Sequence, residues 1–365
     1  MDLRGHRPGV AAACSLLARG QLALTVDDLP LTLNGLPWRK RMNILLGGAQ
    51  KLLQPPFRLG WPLILQIEPT NTCNLRCPAC ATGAGLVTRK PALMAWDTYT
   101  RIIDEMKPYA CIVFFWSWGE PFLHPDACRM IRYAKDQGLV VHSSTNGHCF
   151  TTPDRAEALV ASGIDSLVFA VDGLDPETYS TYRRGGDFAT VLASIRNVVR
   201  ARESAGAARP FLALRFIVMK HNEHQLAGVE SFARDLGVDA VTWRTPILAR
   251  GDRQAVAGLA PNDPAYRRDA LPADPRPCNR PFANLTVFSG GEMVFCENDY
   301  NAGSVIGIAG QESLRTAWSA PRARRMLRDF RLGAATPSFC ATCEFRNSRK
   351  PTFNVTTRLL RGKGP

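Results

Sequence analysis

The stretch Thr72-Cys73-Asn74-Leu75-Arg76-Cys77-Pro78-Ala79-Cys80 decides how the rest of the chain is read. Three cysteines fall within one short loop, separated by three residues and then by two. Thiols this close cannot face three separate environments, and Pro78 stiffens the loop that carries them. Such a loop can converge three sulfurs on one centre, and soft thiolates select zinc, cuprous copper or iron–sulfur clusters. Zinc normally takes a fourth protein ligand, yet Cys111 is the only Cys or His between Cys80 and His124. Three ligands on a four-iron cluster leave one iron open to a further molecule. The plain alternative is a disulfide with a spare thiol.

Around that loop the sequence alternates short apolar runs with longer helical segments. Strands are expected at 63–68, 111–116, 139–144, 166–171, 212–219 and 241–244. Helices are expected at 96–107, 126–137, 153–162, 188–205 and 224–236. Strands separated by helices imply right-handed crossovers and a parallel sheet. Ligands of such sheets sit at the C-terminal strand ends, where the cysteine loop lies.

The CxxxCxxC spacing of Cys73, Cys77 and Cys80 resembles the signature of the radical SAM superfamily. The resemblance implies a partial (β/α)6 barrel over 61–245. It also implies a four-iron cluster on the three thiols, whose open iron chelates S-adenosylmethionine (SAM) and cleaves it to a 5′-deoxyadenosyl radical. Further strand ends then become SAM contacts: Trp118-Gly119-Glu120-Pro121, similar to the family's GGEP with Trp118 in place of the first glycine, and Ser144 and Asn146 in a turn matching STNG. Asp172 sits in a segment like SxDG in which Ala170 replaces the serine, and Arg183 follows Tyr182 where the family often places a carboxylate-binding arginine. Ala79 stands where an aromatic residue often packs on adenine.

A second set of cysteines follows a Pro-rich linker at 246–277: Cys278, Cys296, Cys340 and Cys343. Gly290-Gly291 reads as a hairpin turn that brings Cys296 to the end of a strand. Spacing alone leaves structural zinc and an iron–sulfur cluster equally open. The arrangement resembles the SPASM/twitch extension of radical SAM enzymes. With four cysteines it implies a small C-terminal α+β domain at 278–345 holding one auxiliary 4Fe-4S cluster. Glu297 and Asp299, beside a cluster ligand, are candidates for the general base that takes a substrate proton. His124 fits a helix cap, and Cys111, Cys128 and Cys149 fit core thiols.

The chain has 365 residues, 45% of them hydrophobic, and a formal charge of +13. A basic surface favours acidic partners. No apolar run reaches the length needed to span a bilayer. The segment 10–18 behind Arg4 and Arg7 resembles a signal peptide, but export would strand oxygen-sensitive thiolates, so a cytoplasmic setting is expected. Residues 1–60 form a basic extension whose 38–53 segment suits a helix packed across the main domain. A basic tail at 346–365 is expected to be solvated.

Arg183, Arg184 and Arg244 are expected at strand ends facing the cavity, where one could meet SAM and the others an anionic substrate. Asp172 and Asp187 are their alternative partners inside the protein. The resemblance implies an enzyme acting on a small sugar-like metabolite or a peptide, with an external one-electron donor such as flavodoxin or ferredoxin. The other class the charge allows is a nucleic-acid-binding or RNA-modifying iron–sulfur protein, though no RNA-binding motif or aromatic–basic interleaving is present.

Overall fold

The computed structural model describes residues 10–248, 256–267, 278–341, 343 and 356–360. Most of the expected linker and tail, and the leader-like residues Arg4 and Arg7, lie outside the described residues.

The N-terminal extension is ordered into α1 (Val10–Arg19), a hairpin of β1 (Leu22–Val26) and β2 (Leu29–Leu33), and α2 (Trp38–Leu53). From α2, Lys40 Nζ donates to the Gly138 carbonyl at 3.1 Å, and Asn43 Nδ2 donates to the Trp61 and Tyr109 carbonyls at 3.2 Å. Tyr109 and Gly138 sit just before strands of the main sheet, so α2 lies across their N-terminal ends, as expected of a helix packed on the main domain.

Six short apolar runs then become parallel strands: β3 (Ile64–Ile67), β4 (Ile112–Phe115), β5 (Val140–Thr145), β6 (Ser166–Ala170), β7 (Phe211–Ile217) and β8 (Ala240–Arg244). They alternate with α3 (Trp96–Met106), α4 (Ala127–Asp136), α5 (Pro153–Ala161), α6 (Pro176–Tyr182), α7 (Phe188–Ser204) and α8 (Val229–Asp235). The outer face of the strands packs on these helices in one large core, in which Val113, Phe115, Leu167, Phe169, Leu214 and Phe216 are buried. Two strand faces covered by protein explain why these runs are almost continuously apolar.

The C-terminal region contributes α9 (Arg280–Ala283), β9 (Asn284–Val287), β10 (Glu292–Val294), β11 (Val305–Ile308), α10 (Leu314–Ser319), α11 (Pro321–Leu332), α12 (Ser338–Ala341) and β12 (Thr356–Leu359). It does not form a separate sheet. β9 pairs in parallel with β3, and β12 pairs antiparallel with β8, giving one ten-stranded sheet in the order β11-β10-β9-β3-β4-β5-β6-β7-β8-β12. The expectation of a wholly solvated tail is corrected at 356–359, where backbone pairing with the open edge of β8 holds the chain.

The hairpin shows that the sheet curves. Its buried Val26, Leu31 and Leu33 pack with Ile64, Ile112 and Phe114 on β3 and β4, while Leu29 packs with Val168, Ala213 and Ala240 on β6, β7 and β8. A sheet whose first and last strands both touch one hairpin must wrap around it. The partial (β/α)6 barrel is therefore filled in its lower half by the chain's own N-terminal hairpin. At the tip, Asp27 and Asp28 both take positive φ, 49° and 69°, as a two-residue hairpin turn requires.

That tip carries the lumen's charge. Asp27 accepts from Arg215 Nη2 at 2.7 Å and lies 3.1 Å from His142 Nε2; Arg244 binds Asp27 and, at 2.5 Å, Asp28. Burial opposes ionisation of Asp27, but Arg215 and then Arg244 outweigh it and hold the carboxyl well below its usual range. Arg244 is thus a partner of the hairpin, which corrects the expectation that it faces an anionic substrate.

Candidate functional site

The loop after β3 holds the first three thiols by local backbone bonds. Cys80 N–H donates to the Cys77 carbonyl at 3.1 Å, Ala84 N–H to the Cys80 carbonyl at 2.8 Å, and Leu75 N–H to Cys73 Sγ at 3.4 Å. Gly83 lets the chain fold back on Cys77, since a Cβ there would lie 2.5 Å from the Cys77 backbone nitrogen and oxygen. Cys73, Cys77 and Cys80 share one apolar cluster with Leu75, Tyr182 and Met219.

Neighbouring strand ends close on this loop. Glu120, after β4, is buried; its carboxylate accepts from Thr145 Oγ1 at 2.8 Å, Asn146 N–H at 2.7 Å and Phe122 N–H at 3.3 Å. Burial pushes its pKa up to about 7, against the pull of those hydrogen bonds. Asn146, after β5, donates to Asn74 Oδ1 at 2.8 Å and reaches Cys73 Sγ at 3.8 Å. Arg183, at the end of α6, places Nη1 3.8 Å from Cys77 Sγ. Ser144 is half-buried on the same rim, and Pro121 starts a short 3-10 turn.

Three of the expected residues have partners within the protein. Asp172 is fully buried, with one oxygen on Arg183 Nε at 2.6 Å and the other accepting from Ile217 N–H at 2.7 Å. It reaches the site through Arg183 and does not itself present a free oxygen. Asp187 caps α7 through Thr190 N–H at 2.7 Å and pairs with neither arginine. At Gly119 the missing Cβ serves protein packing, because one there would lie 2.2 Å from the Thr70 carbonyl. His124 behaves as a cap: Nδ1 accepts from Asp126 N–H at 3.1 Å, and Nε2 meets the Met94 carbonyl at 3.0 Å.

The later cysteines come from separate elements. Cys278, Cys296 and Cys340 pack in one cluster with Phe282, Phe295, Leu327 and Phe330. Cys343 joins them through Asn298, whose Nδ2 donates to its Sγ at 3.0 Å. The two candidate bases are committed elsewhere. Asp299 accepts from Gly303 N–H at 2.9 Å and Ser304 N–H at 2.6 Å, which folds the loop after Cys296. Glu297 pairs with Arg280 and accepts from the Cys296 thiol at 3.4 Å. Both side chains are thus engaged within the protein, at the loop that carries Cys296.

Both thiol sets suit clusters. Burial pushes Cys73 and Cys296 up to about 12 and Cys77 up to about 11. Such sulfurs bind as thiolates only beside an electropositive centre that compensates their charge. Among the described residues, no group of three His, Cys, Asp or Glu side chains is arranged to hold a single metal ion. Ligands of a cluster bind separate irons and need not meet at one point.

Family models decide between these chemistries. One described as the radical SAM superfamily matches residues 67–209, and one described as an iron–sulfur cluster-binding domain, SPASM, matches residues 278–344. The chain belongs to the radical SAM superfamily. Among curated relatives of this radical SAM chain is the tungsten-containing aldehyde ferredoxin oxidoreductase cofactor-modifying protein of Pyrococcus furiosus. It is 31% identical over 48% of this chain and 49% of its own length. The AdoMet-dependent heme synthase of Methanosarcina barkeri is 32% identical over 52% and 53%. The chain thus spans about half the length of these curated relatives. Streptococcus suis SuiB, solved with its precursor peptide SuiA, shares the fold with a TM-score of 0.58 at 15% identity, covering 83% of this chain and 74% of SuiB. Iron–sulfur clusters and S-adenosylmethionine are the cofactors of this radical SAM and SPASM pairing.

Sequence reasoning missed how Trp118 joins the two sets. Its carbonyl accepts from Thr82 Oγ1 in the first loop. Its indole N–H donates to the Glu297 carbonyl, next to Cys296, at 2.6 Å, and its ring meets Tyr300 edge-on at 5.4 Å. Arg89 adds a second tie, bonding Glu68 through both Nη atoms and the Tyr300 carbonyl through Nε at 2.8 Å. The signal was present: Trp118 is the residue that departs from the family glycine, and an aromatic partner follows Cys296.

Proposed function

We propose that the chain is a radical SAM oxidase whose substrate is met at the C-terminal rim of the barrel. The observation that carries this reading is the convergence of Cys73, Cys77 and Cys80 with Glu120, Asn146 and Arg183 at adjoining parallel-strand ends. When bound to the three thiols, a four-iron cluster supplies reductive cleavage of SAM and so a radical able to abstract a hydrogen atom. Arg183, held through Nε and Nη2 by Asp172, turns Nη1 toward Cys77, where it offers a charged donor to the SAM carboxylate. Asn146 and Ser144 line the same rim, and Glu120 fixes the Asn146 backbone that positions it.

Cys278, Cys296, Cys340 and Cys343 would hold a second, fully protein-ligated cluster that accepts an electron. Loss of a hydrogen atom, an electron and a proton from the substrate makes the net change a two-electron oxidation. The hairpin fills the lower lumen, so we infer a substrate that presents one C–H bond at the rim: a peptide side chain or the end of a small metabolite.

The test is 5′-deoxyadenosine formation by the anaerobically reconstituted, dithionite-reduced protein. Wild type should form it with SAM alone, and Cys73→Ala/Cys77→Ala/Cys80→Ala should not form it above background. Equal formation by both would remove the assignment.

A further inference from the structure

We propose that the outer face of α11, with the loop that follows α2, is the docking surface for an acidic one-electron carrier protein that exchanges electrons with the late-cysteine site. The proposal rests on the reading above, and it assigns the place where that site meets its redox partner.

Two observations combine. First, α11 is amphipathic, and its two faces do different work. Its inner face buries Leu327 and Phe330 against the cluster that contains Cys296 and Cys340. Its outer face carries Arg322, Arg324, Arg325 and Arg328, against the single acid Asp329 in the helix. Arg322 pairs with Glu312 and Arg328 with Asp329, both at the surface. Among the described residues neither Arg324 nor Arg325 faces a carboxylate. These four arginines face only two carboxylates among the described residues, so the face keeps a net positive charge.

Second, this face borders an open groove of about 320 Å³, lined by Pro56, Phe57, Pro321, Arg324, Arg325 and Arg328. Beside it, the end of α2 leaves Leu52 80% and Leu53 74% exposed, and Phe57 is 51% exposed. An apolar centre with a basic rim is the composition of a transient interface, in which charge steers approach and the apolar patch holds it. Weak redox encounters need only a small area of this kind.

Position selects an electron carrier among acidic proteins. A helix with its side chains is about 10 Å across, so a partner seated in the groove is separated from the Cys296 and Cys340 thiols by the thickness of α11 alone. The exchange moves one electron: the carrier loses what the late-cysteine site gains, or the reverse, with no bond made or broken.

The experiment titrates anaerobically reconstituted full-length protein with flavodoxin as the acidic probe, measuring Kd at low and moderate salt. Arg324→Glu/Arg325→Glu should raise Kd at least about tenfold at low salt and flatten its salt dependence. The charge-matched Arg196→Glu/Arg200→Glu, on the exposed face of α7, should change Kd by less than about threefold. Stopped-flow electron exchange with flavodoxin should slow in the first variant alone. Equal weakening in both variants, or no flavodoxin binding by wild type, would overturn the proposal. So would a loss of single-stranded DNA affinity in Arg324→Glu/Arg325→Glu with flavodoxin binding intact. Dithionite-driven 5′-deoxyadenosine formation reports separately on the radical SAM reading, because it needs no carrier and touches no residue of the groove.

Discussion

The two thiol sets solve one problem, holding soft sulfurs in a reduced interior, by opposite means. Cys73, Cys77 and Cys80 come from one loop whose shape is fixed by its own backbone bonds and by the strand end before it. Cys278, Cys296, Cys340 and Cys343 come from the start of α9, the end of β10, α12 and the residues after it. Side-chain packing of Phe282, Phe295, Leu327 and Phe330 brings them together. The first site depends on local sequence and the second on tertiary packing. Damage to the second should therefore leave the first working, whereas the shared sheet couples both to the barrel.

The largest effect that would sharpen this contrast is chemical. Cys340→Ala/Cys343→Ala should lose the iron of the late site while 5′-deoxyadenosine formation by the reduced protein stays within about tenfold of wild type, a change of about 1.4 kcal/mol in barrier. Liquid chromatography of the nucleoside products reads this directly. Complete loss of 5′-deoxyadenosine would show that the two sites are one functional unit.

Next in size is the charge network in the lumen, which serves the barrel under both sites. Asp27→Asn would leave Arg215 and Arg244 with one fewer buried counter-charge, at a cost of about 3–5 kcal/mol in denaturant unfolding. The pH dependence has a definite sign. The folded-state pKa of Asp27 is depressed, so its contribution is complete above the unfolded carboxylate value of about 3.9 and is lost as pH falls through the lower folded value. Wild type should lose stability in acid more steeply than Asp27→Asn. Parallel pH profiles would show that the hairpin tip is not the barrel's acid-sensitive element.

Much of the barrel was legible because its strands are apolar runs punctuated by helices. The run expected at 111–116 is observed as Ile112–Phe115, and that at 166–171 as Ser166–Ala170. The cysteine loop was legible because its geometry is local. The hairpin was not: Asp27-Asp28 lacks the Asn-Gly or Asp-Gly pair that usually marks such a turn, and its purpose appears only when Arg215 and Arg244 arrive from β7 and β8. The partners of Glu297 and Asp299 were hidden for a related reason. The position of these two residues beside Cys296 is visible in sequence, but the Arg280 side chain and the Ser304 amide that occupy them are brought there by folding. The pairing of β9 with β3 likewise joins segments far apart in the chain.

A smaller effect probes the tie between the two sites. Trp118→Phe removes the indole N–H that bonds the Glu297 carbonyl, worth about 1 kcal/mol. Hydrogen exchange of the amides around 297–304 should accelerate about fivefold, with little change in the helices outside the sheet. Unchanged exchange would mean that Arg89 and Asn301 hold the loops together without the indole.

The most direct measurement is the iron content of anaerobically reconstituted protein, with electron paramagnetic resonance after reduction. The account predicts about eight irons per chain, as two four-iron clusters, falling to about four in either Cys73→Ala/Cys77→Ala/Cys80→Ala or Cys340→Ala/Cys343→Ala. About four irons in wild type together with one tightly bound zinc would contradict it, because the late cysteines would then be a structural metal site and no electron acceptor.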